Sequence, residues 1–131
     1  IRKDNSDGEE DSVSEVLSKV GLLDRIEQRS GDLSYGHQRL LELAMGMAQK
    51  PKLLILDEPT QGLSDSEIEN FKKLIRDISS STTILLIEHN MDVVMSIADN
   101  ISVLHFGEII ADGDKETIQN DPIVQKAYLG D

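Results

Sequence analysis

The chain has no cysteine in its 131 residues. That excludes disulfide bridges and thiolate metal sites, and suits a cytosolic protein. Basic residues are scarce, 13 Lys and Arg against 25 Asp and Glu, for a net charge of −12. A nucleic-acid surface needs a basic patch, and anionic lipid recruits cation clusters, so neither partner is expected. No apolar run approaches the ~20 residues of a membrane-spanning helix. No secretory leader pattern appears either, so direct membrane insertion is not expected. Internal repeats and low-complexity tracts are absent as well. What remains is a chain that is 38% apolar and 29% charged. That is enough for one modest soluble domain with a real core.

The most informative stretch is Leu53-Leu54-Ile55-Leu56 followed by Asp57-Glu58-Pro59-Thr60. Four consecutive apolar residues predict a strand buried on both faces, as in a parallel α/β sheet. Ligands of open α/β sheets bind beyond the carboxyl ends of strands. Asp57 and Glu58 stand at that end, and successive strand residues point to opposite sides. One carboxylate can therefore reach a magnesium ion while the other orients or deprotonates a water. The bland alternative is that Asp57 caps a turn and Glu58 is solvated. The apolar strand and the following proline favour the functional reading.

Upstream, Leu33-Ser34-Tyr35-Gly36-His37-Gln38 precedes a helical pattern of Leu40, Leu41, Leu43, Ala44, Met47 and Ala48. Ser34 is a good N-cap, and Gly36 lets a ligand approach the backbone. Free N–H groups and a positive dipole end suit a phosphate. An ordinary capped helix start explains these residues about as well, and only their position ahead of the acidic pair tips the balance. Downstream, Ile84-Leu85-Leu86-Ile87 predicts a second buried strand ending at Glu88-His89-Asn90. His89 then shares a sheet edge with Asp57 and Glu58, where an imidazole can hydrogen-bond a phosphate oxygen. His37 and His105 lack that placement.

The remaining pattern is regular. Residues 1–11 are polar and acidic and predict a disordered lead-in. Ser12 with Glu15 forms a capping box for a helix carrying Val13, Val16, Leu17 and Val20, stopped by Gly21. A short second helix is expected over Leu22, Leu23 and Ile26. Ser64 with Glu67 forms another capping box, for a helix with Ile68, Phe71, Ile75 and Ile78 on one face. Asp65 in its first turn suits the dipole. Met91, Val94, Met95 and Ala98 mark a short helix. Ile101 to Phe106 and Glu108 to Ala111 predict a β-hairpin around Gly107. A final helical piece opens at Asp121-Pro122.

In this order the blocks Leu33 to Gln38, Leu54 to Thr60, Gly62-Leu63-Ser64-Asp65 and Ile87-Glu88-His89 closely resemble the ATP-binding subunits of ATP-binding-cassette (ABC) transporters. They match that family's signature motif, Walker B, D-loop and switch histidine. The resemblance runs from Val13 to the end. It is strongest to the ATPases of branched-chain amino acid importers, through Leu33 to Arg39, Ile87-Glu88-His89-Asn90-Met91 and Asp121-Pro122…Ala127-Tyr128-Leu129-Gly130. It implies an α/β P-loop NTPase fold, C-terminal portion, with parallel strands, flanking helices and a C-terminal β-hairpin. Residues 12–50 would be the tail of the helical subdomain and the signature helix, and 51–131 the C-terminal part of the ATPase core. It implies ATP and magnesium as cofactors, with Asp57 on the metal, Glu58 as base or water orienter and His89 on the γ-phosphate. Ser34, Tyr35, Gly36, His37 and Gln38 would face ATP held by a second subunit in a head-to-tail dimer, and Asp65 would couple the two sites. Transmembrane permease subunits would hold the protein at the inner face of the cell membrane. Tyr35 replaces the first glycine of the commonest signature, as in the importer branch, and His37 replaces its first glutamine.

One block of the family is missing. No Gly-x-x-x-x-Gly-Lys-Ser/Thr loop (Walker A) occurs, and that loop supplies the backbone cradle and lysine for the phosphates. The chain alone is therefore expected not to hydrolyse ATP. The Walker A strand of the family lies between the strand ending at His89 and the strand near Ile101 to His105. Its absence predicts open sheet edges and an exposed apolar face. Two other readings are a soluble, non-transport ABC ATPase and a non-catalytic interaction or regulatory module.

Overall fold

The computed structural model describes residues 6–129. The chain divides into two compact units, residues 1–89 and 90–131.

The first unit runs α1 (Ser6–Lys19), two 3-10 turns (Leu23–Arg25 and Ser30–Asp32), α2 (Tyr35–Ala48), β1 (Leu53–Asp57), α3 (Asp65–Ser79) and β2 (Thr83–Ile87). Helix α1 opens at Ser6, so Ser12 lies within it and is not its N-cap. Residues 6–11 of the expected lead-in are therefore helical, and residues 1–5 lie outside the described residues. Gly21 ends that stretch at φ +72°, a left-handed conformation that glycine adopts without steric cost. The expected second helix is replaced by the two 3-10 turns. Val20, Leu22 and Leu33 are buried around them.

Strands β1 and β2 pair in parallel, from Leu53 opposite Thr83 to Asp57 opposite Ile87. The expectation that both are buried on two faces is not met. Leu53, Ile55, Leu85 and Ile87 are each about half exposed, and the alternate residues are only partly buried. The covered face looks toward the helices: Leu54 Cδ1 lies 3.1 Å from where a Cβ on Gly46 of α2 would stand. Among the described residues the sheet has only these two strands. Its other apolar face is about half exposed among the described residues, in line with the expected exposed apolar face. Stability in this unit comes from helices. Phe71, Leu74, Ile75 and Ile78 of α3 are buried, as are Leu43 and Ala44 of α2. Each large apolar side chain contributes about 1.5–3 kcal/mol when fully buried. The capping box at Ser64 and Glu67 is formed in both directions.

The second unit runs α4 (Met91–Ile97), β3 (Ile101–His105), β4 (Glu108–Gly113), α5 (Lys115–Gln119), α6 (Pro122–Val124) and a π-helical turn (Gln125–Leu129). β3 and β4 form the expected antiparallel hairpin, with a register shift at Val103/Leu104. Its two-residue turn places Phe106 and Gly107 at φ +46° and +82°, the type I′ geometry that matches strand twist. Ile101, Val103, Ile118 and Val124 form its core. The sequence reading had no helix at α5. Asp114 caps it by accepting from Thr117 N–H at 2.8 Å, and its Ile118 is fully buried. Among the described residues no helix is long and apolar enough to cross a membrane.

Candidate functional site

The site is built at the carboxyl ends of β1 and β2. Asp57 closes β1 opposite Ile87 and is exposed. Glu58 follows at φ +44°, a left-handed conformation uncommon outside glycine and often found at functional sites. Its N–H donates to Ile87 O at 2.8 Å, extending the ladder one residue past the strand. Its carboxylate Oε1 lies 3.3 Å from His89 Nδ1. Both side chains face solvent, the glutamate 43% and the histidine 68% exposed. An exposed pair of this kind adds little to stability, so its geometry is set by the backbone on either side.

That backbone is tied by residues that the sequence reading did not single out. Glu88 Oε1 accepts from Thr60 N–H at 3.0 Å and from the Thr60 hydroxyl. Glu88 Oε2 accepts from His89 N–H at 3.2 Å. Thr60 is a buried polar residue, 5% exposed. Gln61 N–H to Glu58 O and Leu63 N–H to Thr60 O then turn the chain toward Gly62. The available signal was positional. Thr60 lies within the acidic motif, and Glu88 sits directly between an apolar strand and the histidine.

A second set of residues gathers at the N-termini of α2 and α3. Ser34 caps α2, its Oγ accepting from His37 N–H at 3.3 Å. The Tyr35 hydroxyl accepts from Arg39 Nε at 3.1 Å and Nη2 at 2.9 Å. Glu42 and then Tyr35, by hydrogen bonding, hold the Arg39 guanidinium above its ordinary pKa. The Tyr35 ring packs on Gly62, which sits at φ +77° and whose absent Cβ would stand 2.8 Å from Tyr35 Cε1. Gly36 is buried. The close approach it permits is made by Glu67, whose Oε1 would be 1.9 Å from a Cβ there. Glu67 Oε2 also accepts from Ser64 N–H at 2.8 Å. The Ser64 N–H and hydroxyl, and more weakly the charge of His37, hold the Glu67 carboxyl below its ordinary value. Gln38 is engaged locally, with Nε2 donating to Ser30 O and Leu33 O. Asp65 begins α3 in the first turn. The sequence-predicted residues thus fall into two sets, Asp57, Glu58 and His89 in one and Ser34 to Gln38 with Asp65 in the other.

The donors suit a magnesium nucleotide only in part. Among the described residues no group of three or more His, Cys, Asp or Glu could hold a metal ion. Asp57 offers one hard oxygen donor, which suits magnesium when phosphate oxygens and water complete the shell. At α2 the Ser34 hydroxyl and the helix N-terminus suit a phosphate. The Glu67 carboxylate beside Gly36 would have to turn aside, a movement open to the far end of a flexible side chain.

Two parallel strands thus end in an Asp-Glu pair and a histidine, with a capped helix N-terminus nearby in sequence. Residues 2–61 match the family model described as ABC transporter. Over these residues the chain is similar to the ATP-binding proteins of ABC transporters. Residues 108–131 match the family model described as branched-chain amino acid ATP-binding cassette transporter. The chain is 42% identical over 123 residues to the high-affinity branched-chain amino acid transport ATP-binding protein LivG of Escherichia coli, covering 92% of this chain and 48% of that protein. It is 45% identical over 117 residues to BraF of Pseudomonas aeruginosa, which carries the same description, covering 88% and 46%. The ADP conformation of MJ1267, an ATP-binding cassette of an ABC transporter, superposes with a TM-score of 0.81 at 28% identity, covering 92% of this chain and 50% of that one. The chain spans about half the length of the curated relatives it matches.

Proposed function

We propose that this chain supplies the hydrolytic end of an ABC transporter ATPase. A magnesium ion bound with the triphosphate would neutralise charge on the transferred phosphoryl group. Asp57 holds the metal, directly or through water. Glu58 orients the attacking water and accepts its proton. His89 hydrogen-bonds a γ-phosphate oxygen. Ser34, Tyr35, Gly36, His37 and Gln38 bind the nucleotide of a second subunit in a head-to-tail dimer, and Asp65 couples the two sites. Transmembrane permease subunits recruit the protein to the inner face of the membrane and carry the solute. The relatives named for branched-chain amino acid transport support amino acids as the solute class.

The observation that carries this reading is the contact between Glu58 and His89, 3.3 Å apart at the ends of adjacent parallel strands. Mutation in the complete protein tests it. Glu58→Gln keeps ATP binding and lowers turnover by about a hundredfold or more, the range for loss of a general base. A near-normal ATPase rate in that variant removes Glu58 from its role. The isolated chain, without a Gly-x-x-x-x-Gly-Lys-Ser/Thr loop, does not turn ATP over.

A further inference from the structure

We propose that Glu88 is a positioning residue that fixes Glu58 opposite His89 by holding the loop after β1 against the loop after β2. The proposal rests on the hydrolytic role given to that pair. Backbone pairing between the two strands extends as far as Glu58 N–H on Ile87 O, at 2.8 Å. Beyond that point the two loops are bridged by the Glu88 side chain. Oε1 takes the N–H and hydroxyl of Thr60 on one loop, and Oε2 takes the N–H of His89 on the other.

The chemistry requires a carboxylate. Its two oxygens accept only, so one residue satisfies donors from both loops. A glutamine would turn an NH2 group toward one of those N–H donors. An alanine would strip the partner from the buried Thr60, and an unsatisfied buried donor is costly. The Glu58–His89 contact is itself too exposed to hold this geometry. Loss of Glu88 therefore leaves both catalytic side chains present but lets their separation drift. Small misplacement of catalytic groups costs rate far more than binding.

The test is steady-state ATP hydrolysis by the complete protein as wild type, Glu88→Ala, Thr60→Val and Thr60→Ser. Amide hydrogen exchange is followed on the same samples. Glu88→Ala and Thr60→Val lower kcat about tenfold or more and change KM less than about twofold. Thr60→Ser, which keeps the hydroxyl, stays within about threefold of wild type. Exchange at Thr60 and His89 quickens about tenfold or more in Glu88→Ala, while the β1–β2 ladder keeps its protection. A wild-type kcat in Glu88→Ala overturns the proposal, as does equal loss in Thr60→Ser and Thr60→Val. If Glu88→Ala fails to fold, the Thr60 pair decides. A wild-type protein that hydrolyses no ATP refutes the hydrolytic reading instead. The exchange arm then still judges the bridge, and unchanged rates at Thr60 and His89 overturn it.

Discussion

The two small sheets of this chain solve the same burial problem differently. β3 and β4 are joined by a two-residue turn, and they bury Ile101 and Val103 against Ile118 and Val124 of the helices that follow. Every partner is close in sequence. β1 and β2 are separated by the 25 residues 58–82, and no residue in either strand is buried. Helices cover one face of that pair, and the other shows Leu53, Ile55, Leu85 and Ile87 to solvent. Yet the parallel pair carries Asp57, Glu58 and His89. The hairpin unit is locally self-sufficient. The sheet that ends in the proposed site is partly covered, with those side chains at an open strand end.

The contrast can be broken by mutation. Ile118→Ala, at a fully buried position, costs about 2–5 kcal/mol, as large-to-small core changes do. A urea midpoint close to wild type for Ile118→Ala would erase the distinction between the two sheets. Next in size, Ser64→Ala removes the cap of α3 and costs about 1 kcal/mol, read from the same denaturation curves. No loss in that variant would mean that packing of Phe71 and its neighbours alone holds α3.

Acidification sharpens the picture at the α2–α3 junction. The Ser64 donors and His37 lower the folded-state pKa of Glu67. A depressed carboxylate stabilises the fold above its unfolded pKa, and that contribution is lost as pH falls toward the folded value. The stability difference between wild type and Glu67→Gln is therefore present at neutral pH and shrinks below about pH 4. A difference that stays constant from pH 7 to pH 3 would contradict the assignment. The smallest effect belongs to the bare face. Ile55→Thr changes stability by less than about 0.5 kcal/mol, as surface substitutions do. A loss comparable with that of Ile118→Ala would show that a second copy covers this face in solution, which light scattering would reveal.

The sequence made much of this legible, and the failures share a cause. Capping and turn chemistry are local, so Ser34, the Ser64–Glu67 box and a hairpin turn at Gly107 could be read residue by residue, although Phe106 reads as strand and lies in the turn. The Asp114 cap of α5 is equally local, with Thr117 as its partner, but a helix of 5 residues leaves too short a pattern to stand out. Burial is not local. Leu53 to Leu56 reads as a strand covered on both sides, but an apolar run does not record what packs against it. The start of α1 does not follow from Ser12 and Glu15, which have the spacing of a capping box even inside a helix. At the site, the groups with obvious chemistry were visible. Glu88, Thr60 and Glu67 were not read as site residues, because their importance lies in contacts across 28 residues of sequence, or between two helix N-termini.

Calorimetric titration of the 131-residue chain with magnesium-ATP asks most directly whether these residues form the hydrolytic end of a nucleotide site without its phosphate cradle. The predicted result is no saturable binding at micromolar nucleotide. Clear micromolar binding would contradict it, and would mean that Asp57, the α2 N-terminus and their neighbours hold the nucleotide unaided.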